Sequence, residues 1–544
     1  MIRDRRRKGT NSSQQTTHKD EAERRSDATS RARADAAEQT KQIQSTPISL
    51  SLSESLAYLR GRIGESPDFI IRRWSIQNHV GVEIPIAVCY IEGLVDSMLV
   101  SRLMTHLLSH ESELVNKDHH TERWSRYITD GDVTVVRSRE ELLSSILMGN
   151  AMVILEGDDE SVAVSVQGGA RRGVEEPSTQ TVVRGPKEGF TESISTNLAL
   201  LRNRIRSPEL TFDQHIIGKY TQTRVVLAYV DGIVNLEVLR TITDRLRAVD
   251  TDSVLESEYI EEFIQDKMWT PFPTMLNTER PDAVAGNLLE GQVAVLVDGT
   301  PYALLAPATF FKFFQSSEDY YQRYDIATFL RYVRFLAFVI TLLLPSLYIA
   351  VTTFQQELIP TPLLFSLTAQ REGIPFPALL EAFIMEITFE IIREAGVRMP
   401  RVVGSAISIV GALVLGQAAV QAGLISAGMV IVVSFTAISS FVIPMVNMSA
   451  AIRLIRFALM LLAGAFGIFG ILCGVVTLLF HMASLSSFGV PYLTPIAPLK
   501  WSNMKDVFVR TPWPKMDRRP VHLSQRNPVR QGSDLQQERE KNDK

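Results

Sequence analysis

The sequence predicts a soluble α/β region made of two tandem repeated subdomains, followed by an α-helical integral membrane domain. Three observations carry that reading. Charged residues run throughout the first part of the chain, whereas long uncharged stretches begin at Phe335. Up to about residue 315, apolar runs of strand length alternate with amphipathic helical stretches. A block of the first half also returns once, further along, at a nearly constant offset.

Composition removes several classes. Of 544 residues, 56 are Lys or Arg and 60 are Asp or Glu, a net charge of −4 that argues against a dedicated nucleic-acid binder. The uncharged stretches exclude a wholly soluble protein. The apolar share of 45% excludes a wholly disordered one. Cys89 and Cys473 lie far apart in unlike segments, which excludes a disulfide framework and a structural zinc site.

Residues 1–47 hold almost no large apolar side chain and are expected to form a disordered tail. Arg3, Arg5, Arg6, Arg7 and Lys8 cluster there, either as a solvated tail or as weak attraction to an anionic membrane face. No apolar run follows them, so they do not read as a signal peptide. Residues 521–544 are equally polar and carry the same expectation.

The repeat comes next. Tyr90-Ile91-Glu92-Gly93-Leu94-Val95-Asp96 returns as Tyr229-Val230-Asp231-Gly232-Ile233-Val234-Asn235, an offset of 139. Gly149, Ala151, Leu155 and Gly157 match Gly291, Val293, Val297 and Gly299 at offset 142. Each first block reads as a strand, an acidic-Gly turn and a helix. Each second block is a strand ending in an acidic-Gly turn, Glu156-Gly157 or Asp298-Gly299. The expectation is a subdomain at 48–167, a linker at 168–189 and a second subdomain at 190–320. Glu92 and Asp231 sit where α/β folds often place function, but Asp or Glu before Gly is also ordinary turn chemistry. His79 and His215 occupy similar places in the two copies. The chain holds no phosphate loop, no Gly-x-Ser-x-Gly elbow and no His-x-x-x-His pair, so no catalytic, cofactor or metal site is assigned.

The membrane domain is expected at 321–485. Phe335–Phe354 is 20 uncharged residues, about the length that crosses a bilayer core, with Arg331 and Arg334 flanking its start. Between Arg401 and Arg453 lie 51 uncharged residues, room for spans near 402–422 and 427–446. A fourth span is expected near 457–480, before a C-terminal segment at 486–520. Gly404 with Ser408, and Gly470 with Gly474, are spaced for close helix contact. Gln417 and Gln421 share one helix face, either for hydrogen bonding within the subunit or as a polar lining of a pore.

The segment 376–395 is apolar yet contains Glu381, Glu386, Glu390, Arg393 and Glu394. On a helix Glu386, Glu390, Arg393 and Glu394 fall within an arc of about 100°. Charge facing lipid is costly, so that face meets water, protein or a pore. It is either a partly embedded helix with internal Glu–Arg pairs or a polar surface that cations meet on crossing. The repulsion between Glu386 and Glu390 favours the second, and glutamine at both positions is then expected to lower cation release without loss of protein. The basic residues near the helix ends do not fix the topology. Four spans plus a partly embedded acidic helix are preferred over five spans.

Several strings resemble one family. Among them are Glu192-Ser193-Ile194-Ser195-Thr196-Asn197, Thr278-Glu279-Arg280-Pro281-Asp282 and Val297-Asp298-Gly299-Thr300-Pro301. Phe314-Gln315-Ser316, Met385-Glu386-Ile387-Thr388-Phe389-Glu390, Gly416-Gln417-Ala418-Ala419-Val420-Gln421-Ala422-Gly423 and Ser487-Phe488-Gly489-Val490-Pro491-Tyr492 continue the set. Together, over about 190–515, they resemble the A subunit of the GerA-type spore germinant receptors. The resemblance implies a membrane subunit of a nutrient receptor that triggers endospore germination, without enzymatic activity. It implies a permease-like B subunit and a lipoprotein C subunit as partners in the spore inner membrane or cell membrane. It also implies a homo-oligomer that conducts cations. The N-terminal region, long, charged and without an export signal, reads as cytoplasmic. The alternative is a secondary transporter of a small nutrient or ion, against which stand the few spans and the lack of a visible inverted repeat.

Overall fold

The computed structural model describes residues 46–77, 81–110, 131–168, 176–177, 180–398, 414, 416–499, 501–520, 523–524 and 526–530. The chain divides into two compact units, the first ending at Arg171 and the second holding nearly all the rest.

In the first unit, α1 (Leu52–Ile63) leads into β1 (Phe69–Gln77) and β2 (Glu83–Ile91). Then come α2 (Ser97–Ser109), β3 (Val133–Val136), α3 (Arg139–Leu147), β4 (Asn150–Leu155) and β5 (Ser161–Ser165). The strands form one sheet in the order β1-β2-β4-β5-β3, with every pair antiparallel. Local chemistry starts the helices: Asp96 accepts from the N–H groups of Met98 and Leu99 to cap α2, and Ser138 accepts from Glu141 to cap α3.

The second unit opens with the second copy: α4 (Ile194–Arg204), β6 (Leu210–Ile217), β7 (Thr223–Val230), α5 (Leu236–Arg247), α6 (Ser257–Ile264), β8 (Leu276–Thr278), α7 (Pro281–Leu288), β9 (Val293–Val297) and β10 (Ala303–Ala306). Its sheet runs β6-β7-β9-β10-β8, the same order position for position, again antiparallel throughout. The paired glycines share their backbone too: Gly93 and Gly232 have φ of 86° and 77°, Gly157 and Gly299 of 81° and 94°. Such values favour glycine, which is why those dipeptides survive in both copies. The repeat unit includes a leading helix, so it begins near 52 and 194. The second half of the expected linker belongs to the second copy. Gln180 donates to the Asn277 carbonyl and accepts from Thr278, and Arg280 donates to the Gln180 and Pro186 carbonyls.

Alternate residues of β7 and β9 serve two cores. Val225, Leu227, Val293 and Val295 pack with α5 and α6. Val226, Ala228, Ala294 and Leu296 pack with α4 and α7. Central strands covered on both faces read as continuous apolar runs. The α4/α7 core extends through Phe310–Phe314 to Leu342, Met448, Ile452, Leu459 and Tyr492. The second repeat and the helical domain therefore share one core, not two cores separated near residue 320.

The helical domain consists of α8 (Tyr324–Thr353), α9 (Thr361–Arg371), α10 (Ala378–Arg398), α11 (Ala427–Phe441) and α12 (Val446–Ala483), with a helical stretch at 416–421. Among the described residues, α8, and α12 when counted end to end across its break, are long and apolar enough to cross a membrane by length and composition; α11 is apolar but shorter. Most of the segment expected at 402–422, with Gly404 and Ser408, lies outside the described residues, as do His79 and nearly all of 1–47. Helix α11 stops at Phe441, short of the expected 446. Pro444 lacks an N–H, and the residue before a proline avoids helical geometry.

Helix α12 differs most from expectation. It is broken at Gly467 (φ 62°, ψ −143°) and folds back on itself. A Cβ on Gly470 would strike the Leu462 carbonyl, and one on Gly474 the Leu459 side chain; neither pair could meet in a straight helix. The segment expected as one span at 457–480 is thus a hairpin of two arms, 446–466 and 468–483, with Gly470 and Gly474 at the contact between them. Gln355, just beyond α8, accepts from the Ile468 N–H at 3.2 Å and covers the reversal. Both ends of the hairpin lie at the second repeat. Met445 touches Gln180, while Thr270 and Lys267 hydrogen-bond His481 and Ser484.

Helix α10 runs between the same two ends. Leu379 abuts Gly464 near the hairpin tip, and Arg393 and Val397 face a cavity shared with Gln180 and Arg280. It is 21 residues long, about 31 Å, and traverses the bundle. The C-terminal segment then wraps the second repeat. Tyr492 is buried against Phe310, and Ser487 donates to the Thr274 carbonyl. The expected C-terminal tail begins with packed residues: Leu523 and Ser524 are buried and Arg530 pairs with Glu290 at 3.3 Å.

Candidate functional site

Helix α10 opens after Pro375 and Pro377 and turns its apolar residues Leu380, Ile384, Ile387 and Ile391 outward. Glu381, Glu386 and Glu390 face the bundle interior, whereas Glu394 is exposed. Glu381 accepts from the Ser426 N–H at 2.5 Å and from the Ser426 hydroxyl, while the Ser426 oxygen caps α11 by accepting from Met429. An anion at a helix N-terminus is stabilised by the helix dipole.

One and a half turns on, Glu386 Oε2 meets Arg456 Nη2 at 2.6 Å, with both side chains 1% exposed. Glu390 sits among three arginines: Arg393 at 2.7 Å, Arg453 at 3.6 Å and Arg456 at 3.9 Å. Glu394 pairs with Arg398 at 2.6 Å. The pairing that the sequence left open is therefore supplied largely by α12. No sequence motif ties Arg453 and Arg456 to these carboxylates. Their three-residue spacing, which places both on one face opposite Glu386 and Glu390, was the available signal.

Gln417 and Gln421 are not brought to these carboxylates. Both are exposed on the outside of the bundle, one turn apart, and no described hydrogen bond engages them. Among the described residues no group of three or more His, Cys, Asp or Glu side chains is placed to hold a metal.

A second charged cluster, unforeseen from sequence, joins α8 to the soluble repeat and to the C-terminal segment. Helix α8 begins at Tyr324, so Arg331 and Arg334 lie within it, buried, and do not flank it at a surface. Arg331 donates to Asp319 at 3.0 Å and to Asp506 at 2.8 Å; Arg334 donates to both Asp319 oxygens at 2.7 and 2.8 Å. Asp319 is fixed by a capping box with Ser316. The Tyr320 hydroxyl donates to Asp506 at 2.6 Å, and burial with that carboxylate pushes its pKa well above the ordinary value.

The acidic-Gly turns of the repeats have a structural task. Glu156 accepts from the Leu52 N–H at 2.7 Å and Asp298 from the Ile194 N–H at 3.1 Å, so each ties its copy's last turn to the start of its first helix.

A family model described as Bacillus/Clostridium GerA spore germination protein matches residues 57–522. This chain belongs to the GerA family. It is 47% identical over 493 residues to "Spore germination protein KA" of Bacillus subtilis (strain 168), covering 90% of each chain. It is 44% identical to "Uncharacterized membrane protein YfkQ" of the same organism, over 89% of this chain and 93% of the other. It is 37% identical to "Spore germination protein GerLA" of Bacillus cereus, over 87% and 96%. The crystallised N-terminal domain of the A subunit of the Bacillus megaterium spore germinant receptor GerK3 is 38% identical and aligns at a TM-score of 0.38, covering 49% of this chain and 98% of that one. The motifs that suggested the GerA family by resemblance, from Glu192 to Tyr492, fall inside the matched range.

Proposed function

We propose that this GerA-family chain is the A subunit of a spore germinant receptor, an integral membrane protein that carries a nutrient signal from partner subunits to an ion-conducting state. Its partners are a permease-like B subunit, a lipoprotein C subunit and further copies of itself. The observation that carries the mechanism is the shared core of the second repeat and the helical bundle, with Arg331 and Arg334 anchored on Asp319 and Asp506. A displacement of the repeat must move α8 and both ends of the α12 hairpin with it, because packed cores and buried ion pairs do not deform gradually.

Glu386 serves in this reading as a buried structural pair. Gln417 and Gln421 serve as the polar lining where subunits meet, since exposed amides on an apolar helix need polar company in a bilayer. Arg331, Arg334, Arg393, Arg398, Arg453 and Arg456 lie in the half of the bundle nearest the repeat, which supports a cytoplasmic repeat by the positive-inside rule; in this reading the membrane is the spore inner membrane. The test is nutrient-triggered cation release from spores whose sole copy of the subunit is wild type or Gln417→Ala/Gln421→Ala, with conductance of the purified oligomer in planar bilayers. Reduced conductance at unchanged protein level is expected. Full release from spores lacking the chain, in the nutrient that it serves, overturns the reading.

A further inference from the structure

At the end of the bundle nearest the second repeat lies a cavity of about 510 Å³, bounded by α10, the loop between α11 and α12, the start of α12 and residues around Gln180 and Arg280. We propose that this cavity binds the headgroup of a phospholipid of net charge −1, its phosphodiester uncompensated by any cation of its own. The inference rests on the bundle lying in a bilayer.

Charge carries the first part of the argument. Arg280 is neutralised by Asp282 at 2.8 Å and Glu394 by Arg398 at 2.6 Å. That leaves Arg393, Arg453 and Arg456 against Glu386 and Glu390, three positive groups for two negative ones. The side chains of Arg453 and Arg393 are 16% and 22% exposed, so the surplus charge sits where water screens it poorly. Arg453 reaches Glu390 only at 3.6 Å, longer than a charge-assisted hydrogen bond, so its planar fork remains disposed to take a second acceptor. A headgroup of net charge −1 supplies the missing negative charge, which zwitterionic phosphocholine does not, and its phosphodiester offers the acceptor geometry that a guanidinium matches best.

The cavity's rim carries the second part. Val397, Phe441 and Val446 are 78%, 68% and 57% exposed, and all three line the opening. Their side chains continue the apolar outer surface of the bundle, as acyl chains attached to the bound headgroup require. A soluble phosphate would have no use for them. That continuity selects a lipid over a free anion.

The experiment uses the purified full-length chain in nanodiscs of phosphatidylcholine, with or without phosphatidylglycerol. Thermal unfolding is followed in the discs, and retained lipid is counted by native mass spectrometry after detergent extraction. Wild type is expected to melt higher with phosphatidylglycerol and to retain one such lipid per chain in preference to phosphatidylcholine. Arg393→Gln/Arg453→Gln is expected to lose both effects, whereas Arg371→Gln, which removes one arginine at the opposite end of the bundle, keeps them. Equal retention of the two lipids by wild type overturns the proposal, and this arm needs no variant to fold. Undiminished preference in the double variant overturns it as well. Full displacement by inorganic phosphate would make a free anion the ligand and sink the lipid assignment. A chain that does not enter nanodiscs at all would instead refute the membrane reading of the bundle.

Discussion

Glu386 and Arg456 form a pair that almost no solvent reaches, and this decides what substitution there does. Removing one member of a buried ion pair leaves the other charged and uncompensated, at a cost of about 3–5 kcal/mol. For Arg456 the next carboxylate is Glu390, 3.9 Å away. Glu386→Gln is therefore expected to lower the melting temperature and folded yield of the detergent-purified protein, and Glu386→Gln/Arg456→Met to recover most of the loss. A variant that melts like wild type would return Glu386 to the conduction path that the sequence suggested. Glu261 on α6 makes a different case. It is buried with Glu258, Glu256 and Glu262 nearby, and burial first, then those charges, pushes its carboxyl from 4.5 up to about 8. A raised carboxyl binds a proton more tightly folded than unfolded. Its stabilising contribution is full below about pH 4.5 and is lost as pH rises through about 8. Glu261→Gln fixes the neutral form, so melting curves of variant and wild type should coincide near about pH 5 and separate in the variant's favour by about pH 9. A gap that does not widen with pH would show that the carboxyl is ionised in the fold.

Two elements show how a short motif can hold an architecture. The Asp298 carboxylate accepts from the first N–H of α4 and pairs with Arg224 at 2.9 Å. Glu156 makes the corresponding bond to α1 from a more exposed site. Asp298→Ala is expected to cost about 1–3 kcal/mol, and Glu156→Ala less, as read by thermal unfolding of the full chain. Equal effects would mean that the Arg224 contact adds nothing. The α12 hairpin depends on glycine for a harder reason. A Cβ at 470 meets backbone, which cannot move aside as a side-chain tip can. Gly470→Leu should abolish the folded protein, judged by the monodisperse peak in size-exclusion chromatography. Gly373→Ala, where a Cβ meets nothing within 4 Å, should leave it unchanged. A folded Gly470→Leu protein would contradict the reversal at Gly467.

Across the whole molecule, soluble repeat, first long helix and C-terminal segment converge on Asp319 and Asp506. Asp319 holds both Arg331 and Arg334, whereas Asp506 holds Arg331 and Tyr320. Asp319→Asn leaves two buried arginines short of charge and should cost about 3–5 kcal/mol. Asp506→Asn leaves Arg331 its Asp319 contact and should cost less, about 1–3 kcal/mol. Melting temperatures in that order support a junction centred on Asp319; the reverse order would make the C-terminal segment the principal clamp.

The sequence by itself determined the duplication, because turn glycines at positive φ and buried strands leave a pattern wherever they recur. It determined the boundary between charged and uncharged halves, because lipid and water select opposite residues. It also carried the family, since motifs such as Val297-Asp298-Gly299 stay together along the chain. Tertiary structure alone decided the rest. Glu386 and Arg456 lie seventy positions apart, and nothing local says which arginine answers which carboxylate. Helix α8 reaches back past Phe335 because Arg331 and Arg334 find Asp319 and Asp506, partners that remove the cost by which charge normally marks the end of an apolar span. The stretch at 457–480 has the length and composition of one straight crossing. Only the packing of Gly470 and Gly474 against Leu462 and Leu459 turns it into two, because hydropathy measures how apolar a segment is and not the direction in which the backbone leaves a glycine.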